Sequence, residues 1–140
     1  MNLFNQNTTE NILPFDGEAI YRGLVLNKQQ SSLYYENLLE EIPWENDQAK
    51  IFGKHYITKR KVAWFGDKSY RYKYSGITKQ AHLWTPKLLE LKTKIEELSG
   101  ASYNSCLLNL YHNGSEGMSW HSDGEKTLKE NSAIASVTLG

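Results

Sequence analysis

The sequence predicts a mainly β fold with flanking helices, and three observations carry that expectation. Residues 59–75 are rich in Val, Trp, Phe and Tyr and are broken by Gly66-Asp67 and Ser75-Gly76, the pattern of β segments separated by turns. Two more apolar runs of strand length, Ser105 to Tyr111 (SCLLNLY) and Ala133 to Leu139 (AIASVTL), bracket a loop with three glycines. Only two segments show helical spacing. With 140 residues, 39% of them hydrophobic and 23% charged, the chain has the size of one ordinary domain and enough apolar material for a core.

Residues 1–15 form a polar tail closed by Pro14, and residues 16–140 are expected to make the domain. Ala19 to Leu26 (AIYRGLVL) is expected to be a strand. Ser31 or Ser32 is then expected to cap a helix whose apolar and aromatic positions 34, 35, 38, 39 and 42 share one face, and Pro43 ends it. The stretch 59–75 is expected to be a hairpin-like pair of β segments. Thr85-Pro86 is an N-cap and first-turn pair, followed by Leu88, Leu91, Ile95 and Leu98 at helical spacing and by the Ser99-Gly100 stop. A strand at 105–111, a loop at 112–132 and a strand at 133–139 complete the order. The final strand has no partner strand in the sequence after it, so the chain is expected to be the front part of a longer protein.

The net charge of zero conceals an asymmetry. Between residues 50 and 80 stand nine basic residues and a single acid, Asp67, a net +8, while the rest of the chain carries −8. A polyanion-binding surface fits that distribution. Phe52, Tyr56, Trp64, Phe65, Tyr70, Tyr72 and Tyr74 are interleaved with these cations. Cations on phosphates with aromatic faces on bases is what nucleic-acid binding needs, although alternating aromatics also suit the inner side of a β layer with lysines on its wet face. No run reaches the roughly 18 apolar residues of a membrane span, and the Asn/Thr-rich N-terminus has no signal-peptide pattern. The single cysteine, Cys106, excludes an internal disulfide and a cysteine-based zinc site.

Trp120-His121-Ser122-Asp123 places an imidazole and a carboxylate two residues apart. In extended or turning backbone such side chains project to one side and can chelate a cation, as in a 2-His-1-carboxylate facial triad. A loop His hydrogen-bonded to a nearby Asp has the same spacing.

Asn109-Leu110-Tyr111, Trp120-His121-Ser122-Asp123 with Glu125, and Ile134-Ala135-Ser136-Val137-Thr138-Leu139-Gly140 together resemble the AlkB family of Fe(II)/2-oxoglutarate dioxygenases, on the side of its double-strand DNA-repair members. The resemblance extends upstream through Phe52-Gly53-Lys54, Arg60-Lys61, Gly66-Asp67, Arg71-Tyr72-Lys73-Tyr74-Ser75-Gly76 and Tyr103-Asn104-Ser105, covering about residues 50–140. It implies a double-stranded β-helix (jelly-roll) core, incomplete at Gly140, with a nucleotide-recognition lid. His121 and Asp123 match the first two iron ligands, and Asn109 and Tyr111 match residues that hydrogen-bond 2-oxoglutarate. Phe52, beside Gly53, matches a finger residue that fills the gap left by a flipped base. Tyr72 and Tyr74, flanking Lys73, match lid residues that stack on that base, and Glu125 matches a carboxylate near it. Lys54, Arg60 and Lys61 would neutralise phosphates. Gly124 stands where double-strand-specific members carry a second Asp, so that substrate contact does not transfer. The family's distal His ligand and its two 2-oxoglutarate arginines have no counterpart among the 140 residues.

The implied activity is oxidative dealkylation of N-alkylated bases in DNA with Fe(II), 2-oxoglutarate and O2, releasing formaldehyde from an unstable hemiaminal. The expected substrate is duplex DNA and the expected setting an intracellular monomer, cytoplasmic or nuclear, away from membranes. An AlkB-like demethylase of RNA or protein is the alternative, as is a non-catalytic DNA-binding fragment if the chain ends at Gly140.

Overall fold

The computed structural model describes residues 9–74, 76–124 and 126–140, and these fall into two compact units, the first made of 9–37 with 139–140 and the second of the described residues between 38 and 138.

The first unit is organised by one side chain. Asn11 accepts hydrogen bonds through Oδ1 from the backbone N–H of Leu13 (3.1 Å) and Ala19 (2.8 Å), and its Nδ2 donates to the Gly17 carbonyl (3.0 Å). Ile12 N–H donates to the Ala19 carbonyl, and Asn11 forms an isolated antiparallel bridge with Ile20. The described part of the expected tail is thus tied into a closed loop. The strand expected at 19–26 does not form, because Gly23 turns the backbone to a φ of 69° before a ladder can extend.

Helix α1, Lys28–Glu41, begins three residues before the expected cap. Asn27 Oδ1 accepts from Gln30 N–H (2.8 Å) and Gln30 Oε1 accepts from Asn27 N–H (3.1 Å), a reciprocal pair that satisfies two orphan donors. Ser31 lies inside the first turn, and its hydroxyl donates to the Leu139 carbonyl (3.0 Å). Tyr34, Leu38 and Ile42 are buried at four-residue spacing, whereas Tyr35 and Leu39 are exposed, so the apolar face is one row narrower than the sequence predicts.

The second unit is built on one long strand. β1 (Glu45–Ile51) and β2 (Lys54–Gly66) pair antiparallel around a turn at Phe52-Gly53. β3 (Arg71–Tyr74) and β4 (Ile77–Gln80) form a separate two-stranded antiparallel ribbon. β5 (His82–Leu83) runs parallel to the end of β2, and β6 (Ser105–Leu110) pairs antiparallel with Lys61 to Gly66. The hairpin expected within 59–75 is therefore replaced by two others, because β2 takes its partners from 45–51 and 105–110. The run 133–139 lies in no strand, for it finds no ladder partner among the described residues.

Helix α2, Pro86–Ser99, has the predicted ends: Thr85 Oγ1 accepts from Leu88 N–H (3.2 Å), Pro86 occupies the first turn, and Gly100 adopts a φ of 71°. The core holds Leu38, Ile42, Val62, Ala63, Phe65, Ala81 and Leu88. Phe65 is 2% exposed, and burying such a ring contributes about 2–3 kcal/mol. Gly66 is required by contact, since a Cβ there would stand 2.8 Å from the Tyr70 ring that stacks on Trp64. No helix among the described residues is long and apolar enough to cross a membrane.

Candidate metal centre and nucleic-acid interface

β6 feeds directly into the loop at 112–132, so the scaffold fixes where that loop starts. Its first turn is closed by Glu116, whose carboxylate accepts from His112 N–H (3.0 Å) and faces His112 Nδ1 at 3.0 Å. The His112 backbone and ring hold this carboxyl below the usual range. Asn113 Oδ1 accepts from Ser115 N–H (2.9 Å), a local turn that replaces a ladder bond.

Further along, His121 Nε2 stands 3.3 Å from Asp123 Oδ1, both side chains about half exposed. His121 Nδ1 lies 2.8 Å from the Ser119 carbonyl, so the ring has an oxygen acceptor beside each of its nitrogens, Ser119 at Nδ1 and Asp123 at Nε2. Two ligands bound at right angles at about 2.1 Å lie about 3 Å apart, so the pair has the spacing of neighbouring ligands on one divalent ion. An imidazole oriented by a backbone carbonyl, beside a carboxylate, is the donor chemistry of a first-row metal site. The described residues contain no group of three His, Cys, Asp or Glu able to hold a metal. His55 Nε2 contacts Gln48 Oε1 (2.8 Å), His82 packs on Phe65, and His112 faces Glu116. Beside Asp123 and Gly124 opens a depression of about 320 Å³, walled by Leu128, Lys129 and Ile134.

Asn109, near the end of β6, is exposed, and Tyr111 follows the strand by one residue. Asn109 Oδ1 accepts from Arg60 Nη1 on β2. Arg60 is 5% exposed, and its Nη2 is paired with Asp47 Oδ2 on β1, while Asp47 Oδ1 accepts from Lys79 Nζ on β4. The expected phosphate contact at Arg60 is therefore corrected: its guanidinium is committed inside the protein. Asp47 and Arg60 face each other where the Glu45–Val62, Asn46–Lys61 register would continue, at the edge of a two-residue register shift between Asn46 and Gln48. Thr58 and Arg60 carbonyls within it accept from Asn46 Nδ2 and Thr58 Oγ1, each at 2.8 Å. Sequence reasoning missed Asp47. An acid at an inner position of the strand preceding the basic block was the available signal.

Phe52 is fully exposed at the β1–β2 tip, with Gly53 beside it and Lys54 opening β2. Lys61 is half-buried, paired across the ladders with Asn46 and Leu110. On β3, Tyr72 is half-buried and opposite Lys79, Lys73 is exposed and opposite Thr78, and the Tyr74 backbone pairs with Ile77. Glu125 lies outside the described residues.

The sequence model of the 2OG-Fe(II) oxygenase superfamily matches residues 17–140. Among curated proteins, alpha-ketoglutarate-dependent dioxygenase alkB homolog 3 of Bos taurus is 37% identical over 118 residues, 84% of this chain and 41% of that protein. The Homo sapiens homolog 3 is 34% identical over 122 residues, 87% of this chain and 42% of that protein. DNA oxidative demethylase ALKBH2 of Homo sapiens is 28% identical over 120 residues, 84% of this chain and 46% of that protein. The chain spans less than half the length of these relatives.

Proposed function

Since the chain belongs to the 2OG-Fe(II) oxygenase superfamily and its AlkB resemblance is matched by the curated relatives, we propose that it serves oxidative dealkylation of N-alkylated bases in DNA, with duplex DNA as substrate. The observation that carries this reading is the His121–Asp123 pair, spaced for one ion and with the imidazole ring oriented by the Ser119 carbonyl. Residues 16–140 then form the N-terminal part of a dioxygenase domain with a jelly-roll core. The protein acts as a monomer inside the cell, in cytoplasm or nucleus.

When bound, Fe(II) with 2-oxoglutarate and O2 supplies the oxidation of the N-alkyl carbon. The chain's own residues bind, orient and exclude water. His121 and Asp123 would hold the metal. Asn109 and Tyr111 hydrogen-bond 2-oxoglutarate at the end of β6, next to the ligand loop. Phe52, exposed at its turn, fills the vacancy of an extruded base, which offsets part of the unstacking cost of a few kcal/mol. Tyr72 and Tyr74 stack on the extruded base, with Glu125 near its edge. Lys54, Lys61 and Lys73 neutralise phosphates, a contribution that weakens with salt.

The test is formaldehyde release from N-methylated duplex, single-stranded DNA and RNA at one salt concentration, with and without Fe(II) and 2-oxoglutarate. Release that needs both and is fastest on duplex supports the reading. Equal binding of all three without turnover points to a non-catalytic DNA-binding protein, and turnover confined to RNA to a different substrate class.

A further inference from the structure

Arg60 is a charged group in a core position. A buried guanidinium persists only when its charge is paired and its donors are satisfied. Here the partners come from two other strands, Asp47 on β1 taking Nη2 and Asn109 on β6 taking Nη1, and Lys79 on β4 takes the second oxygen of Asp47. The chain of contacts runs from the β3–β4 ribbon, through Asp47 and Arg60, to Asn109.

The chemistry at Asn109 is directional. Arg60 only donates, so it accepts no other orientation of the amide than Oδ1 facing it, and the two Nδ2 donors point away from the guanidinium. An exposed donor pair beside a buried guanidinium suits a carboxylate. We propose that Arg60, anchored by Asp47 and Lys79, is a positioning residue that fixes Asn109 to donate to the 2-oxoglutarate carboxylate. The proposal rests on the assignment of Asn109 to the cosubstrate in the reading above. It also replaces the phosphate role expected for Arg60 with one inside the protein.

The network makes a structural role separable from a positioning one. Replacing a buried ion pair by apolar groups of similar volume often keeps stability, whereas removing one partner does not. The double substitution Arg60→Met with Asp47→Leu therefore removes the charges together, leaving Lys79 to reach solvent. The readouts are melting temperature, the Kd for Mn(II), the Kd for 2-oxoglutarate with Mn(II) in place of iron, and the Kd for unmethylated duplex DNA.

The expected result is unchanged folding, Mn(II) affinity and DNA affinity, with 2-oxoglutarate bound about tenfold more weakly, a difference of about 1.4 kcal/mol. Arg60→Lys is the second variant, because it keeps the charge but loses the fork that reaches Asp47 and Asn109 at once. It should raise KM for 2-oxoglutarate by about the same factor, with kcat at saturating cosubstrate and KM for DNA within about twofold of wild type. Cosubstrate affinity within about threefold of wild type in whichever of these variants folds would overturn the proposal. Wild-type protein that binds Mn(II) but no 2-oxoglutarate would instead sink the assignment of Asn109, and the dioxygenase reading with it.

Discussion

Phe52 and Gly53 occupy the turn between β1 and β2 with φ values of 49° and 75°, so an aromatic residue sits in a backbone region that favours glycine. A non-glycine residue there costs roughly 1–2 kcal/mol, and nothing is regained by burial, because the ring is fully exposed. Backbone strain kept at an exposed tip is a mark of use.

Two substitutions at Phe52 should separate its cost from its use. Phe52→Gly relieves the turn but adds freedom to the unfolded chain, for a net gain of roughly 0.5–1 kcal/mol in stability. Phe52→Ala keeps the strain and removes only the ring. Both should lower turnover on methylated duplex more than on a methylated single strand, since only a duplex has a stack to repair. Chemical denaturation and paired assays on the two substrates check this, and equal losses on both would remove the finger role.

Asp123→Ala and His121→Ala should each abolish metal-dependent turnover, by at least about a hundredfold, because even partners of metal ligands typically matter 10–100-fold. Both side chains are about half exposed on irregular backbone, so the melting temperature should stay within about 2 °C of wild type, the scale of a few tenths of a kcal/mol. Duplex affinity should also be kept. Mn(II) titration together with DNA binding reads the two effects apart.

Glu116 gives a pH dependence with a definite sign. The His112 backbone N–H and then its ring hold the Glu116 carboxyl below its ordinary value of 4.5. A carboxyl whose pKa falls on folding adds stability above the unfolded value and loses it as pH drops through the folded one. The closed turn at 112–116 should therefore be more stable than in Glu116→Gln above about pH 5, with the difference vanishing in more acidic solution. Amide exchange at His112 across that range is the measurement.

Burial pushes the Cys106 thiol up to about 11 from 9.0. The raised value favours the protonated thiol, so its stabilising share is complete below about pH 9 and is lost as pH rises toward 11. At pH 8 native protein should be alkylated at least about tenfold more slowly than unfolded protein, since only the thiolate reacts. Mass spectrometry after timed iodoacetamide treatment reads the two rates.

What the sequence reveals here is what short-range chemistry decides. Thr85, Pro86 and Gly100 act within one turn of α2, and each is found as predicted. His121 and Asp123 are close in sequence and are brought together in space. The hairpin misplaced in 59–75 shows the limit, because β2 chooses among partners far along the chain and the pairing with β6 spans about 40 residues. Arg60 reads as one more surface cation until the β1–β2 pairing sets Asp47 opposite it. The Asn27–Gln30 cap was legible but lay ahead of the more conspicuous serines.

Mechanically, β2 is a cantilever. Its 13 residues reach about 43 Å at 3.3 Å each, and their exposure changes abruptly along the length: Lys54 to Lys59 are all exposed, and Arg60 to Gly66 are buried or half-buried. The clamped end is gripped by β6 from Lys61 onward, while the overhanging end pairs, among the described residues, with β1. The register shift sits where grip gives way to overhang, which makes it the elbow at which such a beam yields first. A load applied at Phe52 thus delivers its torque to Arg60 and Asp47, the two residues at that elbow, before it reaches the ring of Phe65.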